Sequence, residues 1–276
     1  MRRFLSLAFC LFAASAAGVT TADTGDTGQT SALTTLLTGD DTRGWEAVGR
    51  LDIDGRGFCT GALIAPDLVL TAAHCLFDSE THERIDHRKI EFLAGWRNGR
   101  ASAYRWVRRA VVHPEFDQAG ERAEARTRND VALLELHHPI NNTTVIPFKT
   151  DSLPRKGQRI GVVSYARNRS EAPSLQEVCA VMARQRGVLI TSCDVDFGSS
   201  GAPIFSFDSG EARVVSVVSA MAEVNGQKVS LGTELEAALQ LLRAELAAGM
   251  GVFQDAAPRM FTAGQSRETG AKFAKP

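Results

Sequence analysis

Three short segments contain the residue types that nucleophilic acyl transfer requires. They are centred on His74 in TAAHC, Asp130 in NDVALLEL and Ser200 in GSSGAP. A serine hydroxyl is a weak nucleophile until an imidazole accepts its proton, and the imidazole needs a carboxylate that fixes its tautomer. The three residue types together indicate acyl-transfer chemistry, provided that the fold brings them to one place.

Glycines flank the candidate serine on both sides. Gly198 and Gly201 allow the backbone to turn sharply and to aim N–H groups at a developing oxyanion, each such donor contributing about 3 kcal/mol. We expect the donors of this oxyanion hole to be the backbone N–H groups of Gly198 and Ser200. Ser199 is an alternative nucleophile, but only Ser200 directly precedes Gly201.

In this order, the three motifs closely resemble those of the trypsin-like (chymotrypsin-fold) serine peptidases. The order histidine, aspartate, serine separates that family from the subtilisin and α/β-hydrolase arrangements. The resemblance implies a serine endopeptidase in which His74 is the general base, Asp130 orients it and Ser200 is the nucleophile. It extends from about Trp45 to Leu246, nearly the whole of the expected mature chain.

The rest of the chain supports the fold that this resemblance implies. Short apolar or alternating runs between turn residues indicate a β-barrel or β-sandwich protein; examples are 62–64, 69–72, 105–112, 131–136, 160–163 and 214–218. The resemblance implies an all-β protein of two six-stranded antiparallel barrels. One C-terminal helix is predicted from Leu235, Leu239, Leu242 and Leu246 on one face, and Thr233 with Glu236 predicts a capping box at its start.

The N-terminus has the layout of a secretory signal peptide. Arg2 and Arg3 precede an apolar run that ends in small residues, and cleavage is plausible after Ala16, Ala17 or Ala22. We therefore predict four parts: a signal peptide over 1–17, a pro-segment or flexible arm over 18–44, a peptidase domain over 45–248 and a flexible tail over 249–276. The expected location is outside the cell or in a periplasm, without stable membrane association after cleavage.

Four cysteines remain once the predicted signal has been removed. An even number in an exported chain favours disulfides, and three pairings are possible. Proximity in sequence favours Cys59 with Cys75 and Cys179 with Cys193, and the first pair matches the disulfide beside the histidine in the resembled family. No CxxC or zinc-finger spacing is present, so we expect neither a metal nor another cofactor.

The position of Ser199 departs from the pattern of digestive-type members. Those enzymes have an aspartate there that receives a newly cut N-terminus, whereas this chain has no carboxylate and no Ile-Val-Gly-Gly start. We predict that the chain does not use that activation switch. In this respect it resembles the bacterial glutamyl-endopeptidase branch.

Four residues around the serine bear on substrate preference, for which we predict Arg or Lys. Asp194, six residues before Ser200, matches the position of the pocket-floor aspartate that binds Arg or Lys side chains in trypsin-like members. Asp196 competes for that role, and both aspartates can equally be read as turn residues. Ser219, in Val217-Val218-Ser219, resembles the serine behind the triad that lines the substrate channel, and Met221 stands where it would narrow the pocket entrance.

Composition limits the classes of partner. The 31 Lys and Arg residues nearly balance the 32 Asp and Glu residues, and the formal net charge is −1. The basic residues are scattered, which argues against nucleic-acid binding, so the expected partner is a protein or peptide substrate. Two alternatives remain: a catalytically silent secreted binding module of the same fold, and an esterase of small substrates. The sequence does not indicate an oligomeric state.

Overall fold

A computed structural model describes residues 30–253, which form two closed β-barrels. The first barrel has six antiparallel strands in the order β2-β3-β4-β7-β6-β5. Its strands are β2 (Val48–Ile53), β3 (Gly57–Ala65), β4 (Leu68–Thr71), β5 (Ile90–Ala94), β6 (Ala103–Val112) and β7 (Ala132–Leu136). It closes because β2 pairs with both β3 and β5.

The second barrel also closes through one doubly paired strand. Its strands are β8 (Arg159–Ala166), β9 (Arg169–Gln185), β10 (Val188–Thr191), β11 (Pro203–Ser206), β12 (Arg213–Val224) and β13 (Gln227–Glu234). The order β9-β10-β13-β12-β11-β8 returns to β9, which pairs with β8 as well as β10. A two-residue strand, β1 (Thr34–Thr35), pairs with β9 at Ser174 and Leu175, before the stretch of β9 that pairs with β10. The prediction of two six-stranded antiparallel barrels is confirmed.

The apolar runs form strands because their side chains fill the barrel interiors. Strand β4 is buried along its full length, and β11 likewise. Phe92, Leu133 and Tyr165 are among the largest fully buried side chains. Strands buried to this extent need continuous apolar sequence, which is why those runs predicted strands correctly.

The predicted C-terminal helix is present, but the predicted capping box is not. Helix α2 (Glu236–Ala247) buries Leu239, Leu242 and Leu246 on one face. Its N-terminal cap is Leu235, which makes no side-chain capping bond. Thr233 belongs to β13, and its hydroxyl donates instead to the carbonyl of Thr127, 2.7 Å away. That contact with another segment removes Thr233 from helix capping.

A second helix was not predicted from the sequence. Helix α1 (Ala123–Arg128) has six residues and immediately precedes Asn129 and Asp130. The sequence around it is rich in charged residues and lacks an apolar stripe. A helix this short gives no periodic signal, so the sequence did not predict it.

Residues 30–253 include only some of the four predicted parts of the chain. The predicted signal peptide over 1–17 lies outside the described residues, as does most of the predicted tail. From the predicted arm over 18–44, residues 30–44 are described, and the side chain of Leu36 is 5% exposed. Among residues 30–253 no helix has the length and apolar character needed to cross a bilayer.

Candidate active site

His74 and Asp130 are joined by two hydrogen bonds within the first barrel. His74 lies in a 3-10 turn, Ala73–Leu76, directly after β4, and Asp130 lies between α1 and β7. The His74 ring Nδ1 is 2.7 Å from Asp130 Oδ2, and the His74 backbone N–H donates to Asp130 Oδ1 at 2.8 Å. Because Nδ1 faces the carboxylate, Asp130 fixes the ring so that Nε2 is the nitrogen available to a substrate or nucleophile.

The environment of His74 favours its protonated form. The Asp130 carboxylate is almost fully buried, with its side chain 3% exposed. Burial of the imidazole would by itself lower the pKa of His74, but the charge of Asp130 and its hydrogen bond outweigh that effect. The pKa of His74 is therefore raised above its ordinary value.

The backbone on either side of Ser200 has the conformation that the flanking glycines predicted. Gly198 has φ +98° and Gly201 has φ +75°, a region that other residues rarely adopt. A Cβ at Gly198 would lie 2.4 Å from the Phe58 ring, and one at Gly201 would lie 2.1 Å from Thr71 Oγ1. Both positions therefore require glycine on conformational and steric grounds.

The N–H groups of Gly198 and Ser200 make no hydrogen bond to the described part of the chain, although the carbonyl groups that precede them accept one each. The Phe197 carbonyl accepts from the Arg167 N–H at 2.7 Å, and the Ser199 carbonyl accepts from the Ala202 N–H at 2.9 Å. In a trans peptide the N–H points opposite to the C=O, so these bonds fix the direction of both amides. Neither amide donates to a group within residues 30–253. They are available to an oxygen atom of a ligand.

The two neighbouring serines have different surroundings. The Ser199 side chain is fully buried; its hydroxyl donates to the Tyr165 carbonyl at 3.2 Å and accepts from the Asp196 N–H at 3.2 Å. Ser200 is half-buried, and its hydroxyl makes no hydrogen bond within the described residues. Ser199 is thus committed to holding its own loop, whereas the Ser200 hydroxyl is available for chemistry.

Ser200 and His74 share one cleft between the barrels. The cleft has a volume of about 550 Å³. Its lining includes His74, Gly198, Ser200, Phe58, Phe77 and Phe197. The structure therefore brings together the histidine, the serine and both residues predicted to supply oxyanion donors, Gly198 and Ser200.

Ser219 connects the second barrel to the carboxylate. It lies on β12, is 9% exposed, and its hydroxyl donates to Asp130 Oδ2 at 2.5 Å. The resemblance implied that this residue lies behind the triad and lines the substrate channel; the second part stays a prediction, because Ser219 is not among the residues that line the cleft. The bond means that Asp130 Oδ2 accepts from both Ser219 and the His74 ring.

Asp194 and Met221 lie outside the lining of that cleft. Met221, also on β12, is 45% exposed. Asp194 is exposed, and its backbone N–H donates to Gln176 Oε1 at 2.7 Å. Its carboxylate forms no ion pair within residues 30–253. The predicted contributions of these two residues to a substrate pocket stay predictions.

Sequence analysis missed three residues that hold the serine loop. Thr60 donates through its hydroxyl to the Gly198 carbonyl at 2.9 Å, and its backbone N–H donates to the Ser200 carbonyl at 2.9 Å. Arg169, largely buried, reaches Ser199 Oγ at 3.4 Å. Gln176 holds Asp194 as described above. The partners lie from 18 to 140 positions apart in sequence, so no local pattern signals them.

Both disulfides favoured by sequence proximity are present. Cys59 is bonded to Cys75, next to His74, with an S–S distance of 2.02 Å. Cys179 is bonded to Cys193, next to Asp194, with an S–S distance of 1.98 Å. Each disulfide thus anchors a segment of the site.

The chain matches a known family model over this same region. The model is that of the trypsin-like peptidase domain, and it matches residues 59–215, which is more than half of the chain and contains His74, Asp130 and Ser200. Serine protease 23 of Mus musculus is 29% identical over 163 residues, which cover 53% of this chain and 42% of that protein. The chain thus aligns with less than half the length of this relative.

A third similarity is to a protein of a bacterium, and a fourth is to a solved structure. Glutamyl endopeptidase of Bacillus licheniformis is 26% identical over 173 residues, covering 62% of this chain and 52% of that protein. A solved structure of a Glu endopeptidase in complex with MPD superposes with a TM-score of 0.63 at 20% identity, covering 81% of this chain and 98% of that one. At that identity the superposition supports the fold alone. By its family match, the chain belongs to the trypsin-like serine peptidases and resembles their glutamyl-endopeptidase-like branch.

Proposed function

We propose that this chain is an exported serine endopeptidase that hydrolyses peptide bonds through an acyl-enzyme. The observation that carries the proposal is that His74, which is bonded to Asp130 at 2.7 Å, lines the same cleft as Ser200 and Gly198. Export is supported by the two disulfides, which persist in oxidising compartments, and by the signal-like N-terminus.

In the first half of the reaction, Ser200 Oγ attacks the carbonyl carbon of the scissile bond. His74 Nε2 accepts the hydroxyl proton, while Asp130 holds Nδ1–H and stabilises the imidazolium that forms. The developing oxyanion accepts from the N–H groups of Gly198 and Ser200, which have no other partner in the described chain. Collapse of the tetrahedral intermediate breaks the C–N bond, and His74 returns its proton to the leaving amine.

In the second half, water replaces the leaving amine. His74 takes a proton from the water, whose oxygen attacks the acyl carbon, and the Ser200 oxygen leaves with that proton. Every step uses groups of the chain and solvent, so the proposal includes no metal and no organic cofactor. The Cys59 and Cys75 sulfur atoms, although close to His74, are bonded to each other and do not offer thiolate ligands.

The preference for Arg or Lys side chains is proposed through Asp194. Its carboxylate has no ion-pair partner in the described residues and lies six positions before the nucleophile. Arg169 acts against this preference: burial lowers the pKa of Arg169, whereas the nearby charges of Asp194 and Asp196 act in the opposite direction. That proximity means the guanidinium partly neutralises the negative charge offered to a substrate.

A cleavage-site profile on a peptide library tests both the proposed peptidase activity and the proposed preference for Arg or Lys. The purified mature protein should cut internal peptide bonds, and Ser200→Ala should abolish the cuts. Cleavage after Arg or Lys should dominate in the native protein and fall relative to cleavage after apolar residues in Asp194→Asn. An unchanged profile in that variant would remove Asp194 from the pocket. No cleavage by the native protein would favour the silent binding module.

A further inference from the structure

A short N-terminal segment lies along one edge of the second barrel. We call residues 31–36 the arm. The Ser31 N–H donates to the Val178 carbonyl at 2.8 Å, and the Val178 N–H donates to Ser31 Oγ at 2.9 Å. Thr34 and Thr35 form β1 against β9, and the Leu36 N–H donates to the Pro173 carbonyl at 2.9 Å. The arm thus pairs with the first half of β9 on the edge that β10 leaves uncovered, since β10 pairs only with Val181 to Gln185.

One buried side chain connects the arm to the loop that precedes the nucleophile. Gln176 is 4% exposed. Its Nε2 donates to the Ser31 carbonyl at 2.9 Å, and its Oε1 accepts from the Asp194 N–H at 2.7 Å. A buried amide that loses one partner keeps the cost of its desolvation. Loss of the arm would therefore leave Gln176 unsatisfied and free to turn away from Asp194.

The loop that Gln176 holds continues directly to the candidate oxyanion donors. It begins at Asp194 beside the Cys179–Cys193 disulfide and runs to Ser199, which closes it by accepting from the Asp196 N–H at 3.2 Å. Gly198 and Ser200 come at its end. A displacement at Asp194 would therefore shift the two N–H groups on which oxyanion stabilisation depends, and such geometry tolerates little error.

The position of the arm argues against an inhibitory role. A segment that blocks a peptidase has to cover the cleft, and no arm residue lines the cleft that contains His74 and Ser200. The arm also buries an apolar anchor, Leu36, which is 5% exposed and belongs to the main core cluster. Both features are those of a permanent structural element.

We propose that the arm is a working part of the mature enzyme, and that Gln176 is the positioning residue through which it holds the Asp194–Ser200 loop. This inference rests on the proposed function. The sequence alone left a pro-segment and a flexible arm as alternatives for this region. If the arm is a working part, its removal lowers activity, whereas removal of an inhibitory pro-segment would raise activity.

The test compares a chain that begins at Thr30 with one that begins at Thr38. The measurement is the second-order rate of labelling of Ser200 by a fluorophosphonate, normalised to the folded fraction from thermal melting. We expect labelling of the shorter chain to be about tenfold slower, the scale of one or two lost buried hydrogen bonds. Gln176→Leu in the longer chain should slow labelling similarly, and the two changes together should do little more than either alone.

Ser174→Ala is the matched control. It removes one arm contact, the bond from Ser174 Oγ to Thr35 Oγ1 at 3.3 Å, but leaves Gln176 in place, so its labelling rate should stay within about twofold of the native rate. If the shorter chain does not fold, the labelling rates of Gln176→Leu and Ser174→Ala in the longer chain still test whether Gln176 positions the loop.

Equal or faster labelling of the shorter chain would overturn the inference. The inference would also be overturned if the two changes together slowed labelling by the product of their separate factors. Effects that multiply are independent, and they would indicate two separate structural losses. If neither chain were labelled at Ser200, the proposed function would fail first, and the inference with it.

Discussion

At the scale of single residues, the two adjacent serines show how surroundings decide chemistry. Ser199 is buried and hydrogen-bonded on both sides of its hydroxyl. Ser200 lies in the cleft with His74 and has an uncommitted hydroxyl. The sequence motif selected Ser200 because of Gly201, and only glycine fits at 201, because a Cβ there would lie 2.1 Å from Thr71 Oγ1 and 2.4 Å from the Thr60 carbonyl oxygen.

The raised pKa of His74 predicts the position of the acidic limb of the pH profile. Only the neutral imidazole can accept the serine proton, so kcat/KM should fall as the pH drops through a pKa above the ordinary 6.5. Asp130→Asn removes the charge that raises this pKa. The limb should then move to lower pH, while the maximal kcat falls on the order of 10⁴-fold.

The measurement for this prediction is kcat/KM as a function of pH for both proteins. Asp151→Asn is a suitable control, because it changes an exposed aspartate whose backbone pairs with Val214 in the second barrel, and it should leave the profile unchanged. A limb that stays at the same pH in Asp130→Asn would show that Asp130 does not set the His74 pKa.

Some residues of the site were not accessible to sequence analysis. The pairs Thr60 with Gly198 and Ser31 with Gln176 are 138 and 145 positions apart. Threonine, serine and glutamine in such places have ordinary local contexts. The motif residues were predictable because their chemistry constrains their immediate neighbours, whereas these positioning residues are constrained only by three-dimensional contacts.

At the scale of elements, the strands that carry the site were predictable because they are buried and continuously apolar. Strand β4 delivers His74, β7 follows Asp130 and β11 follows Ser200. Helix α1 and strand β1 were not predicted, since the first has six residues and the second two. The arm has six residues, of which three are serine or threonine, and its pairing depends on the edge of β9 instead of on its own composition.

The Cys179–Cys193 disulfide is expected to matter for both stability and the loop at Asp194. Replacing both cysteines by alanine opens a loop with a sequence separation of 14, which should lower the free energy of unfolding by about 3 kcal/mol. Denaturant unfolding measures this. Fluorophosphonate labelling of the folded variant should also slow, because the disulfide ends directly before Asp194.

A second variant checks the expected stability effect. Replacing Cys59 and Cys75 by alanine opens a loop of separation 16 and should cost a similar unfolding free energy. A Cys179/Cys193 variant that unfolds at the native denaturant concentration would contradict the expected stabilisation.

At the scale of the whole molecule, the site exists only where the two barrels meet. His74 and Asp130 belong to the first barrel, and Ser200 and Ser219 to the second. Thr60 on β3 crosses this boundary: it accepts from the Tyr165 N–H at 3.1 Å and donates to the Gly198 carbonyl at 2.9 Å. The resemblance implied the two barrels, but not the bonds that hold their relative position.

Thr60→Val tests that boundary. The substitution keeps the shape but removes the hydroxyl, leaving the Tyr165 N–H without its partner, so we expect a loss of about 1–3 kcal/mol in unfolding free energy and a lower labelling rate at Ser200. Thr42→Val is the control, since within residues 30–253 its hydroxyl bonds only to the nearby carbonyls of Thr38 and Gly39. Equal activity in the two variants would show that Thr60 does not position Gly198.

The most direct test of the account is where an active-site probe attaches. The native protein, Ser200→Ala and Ser199→Ala are treated with a fluorophosphonate, and mass spectrometry of the digested protein locates the modified residue. We expect one modified serine, Ser200, in the native protein, no modification in Ser200→Ala and retained modification in Ser199→Ala. Modification of Ser199, or none in the folded native protein, would contradict it.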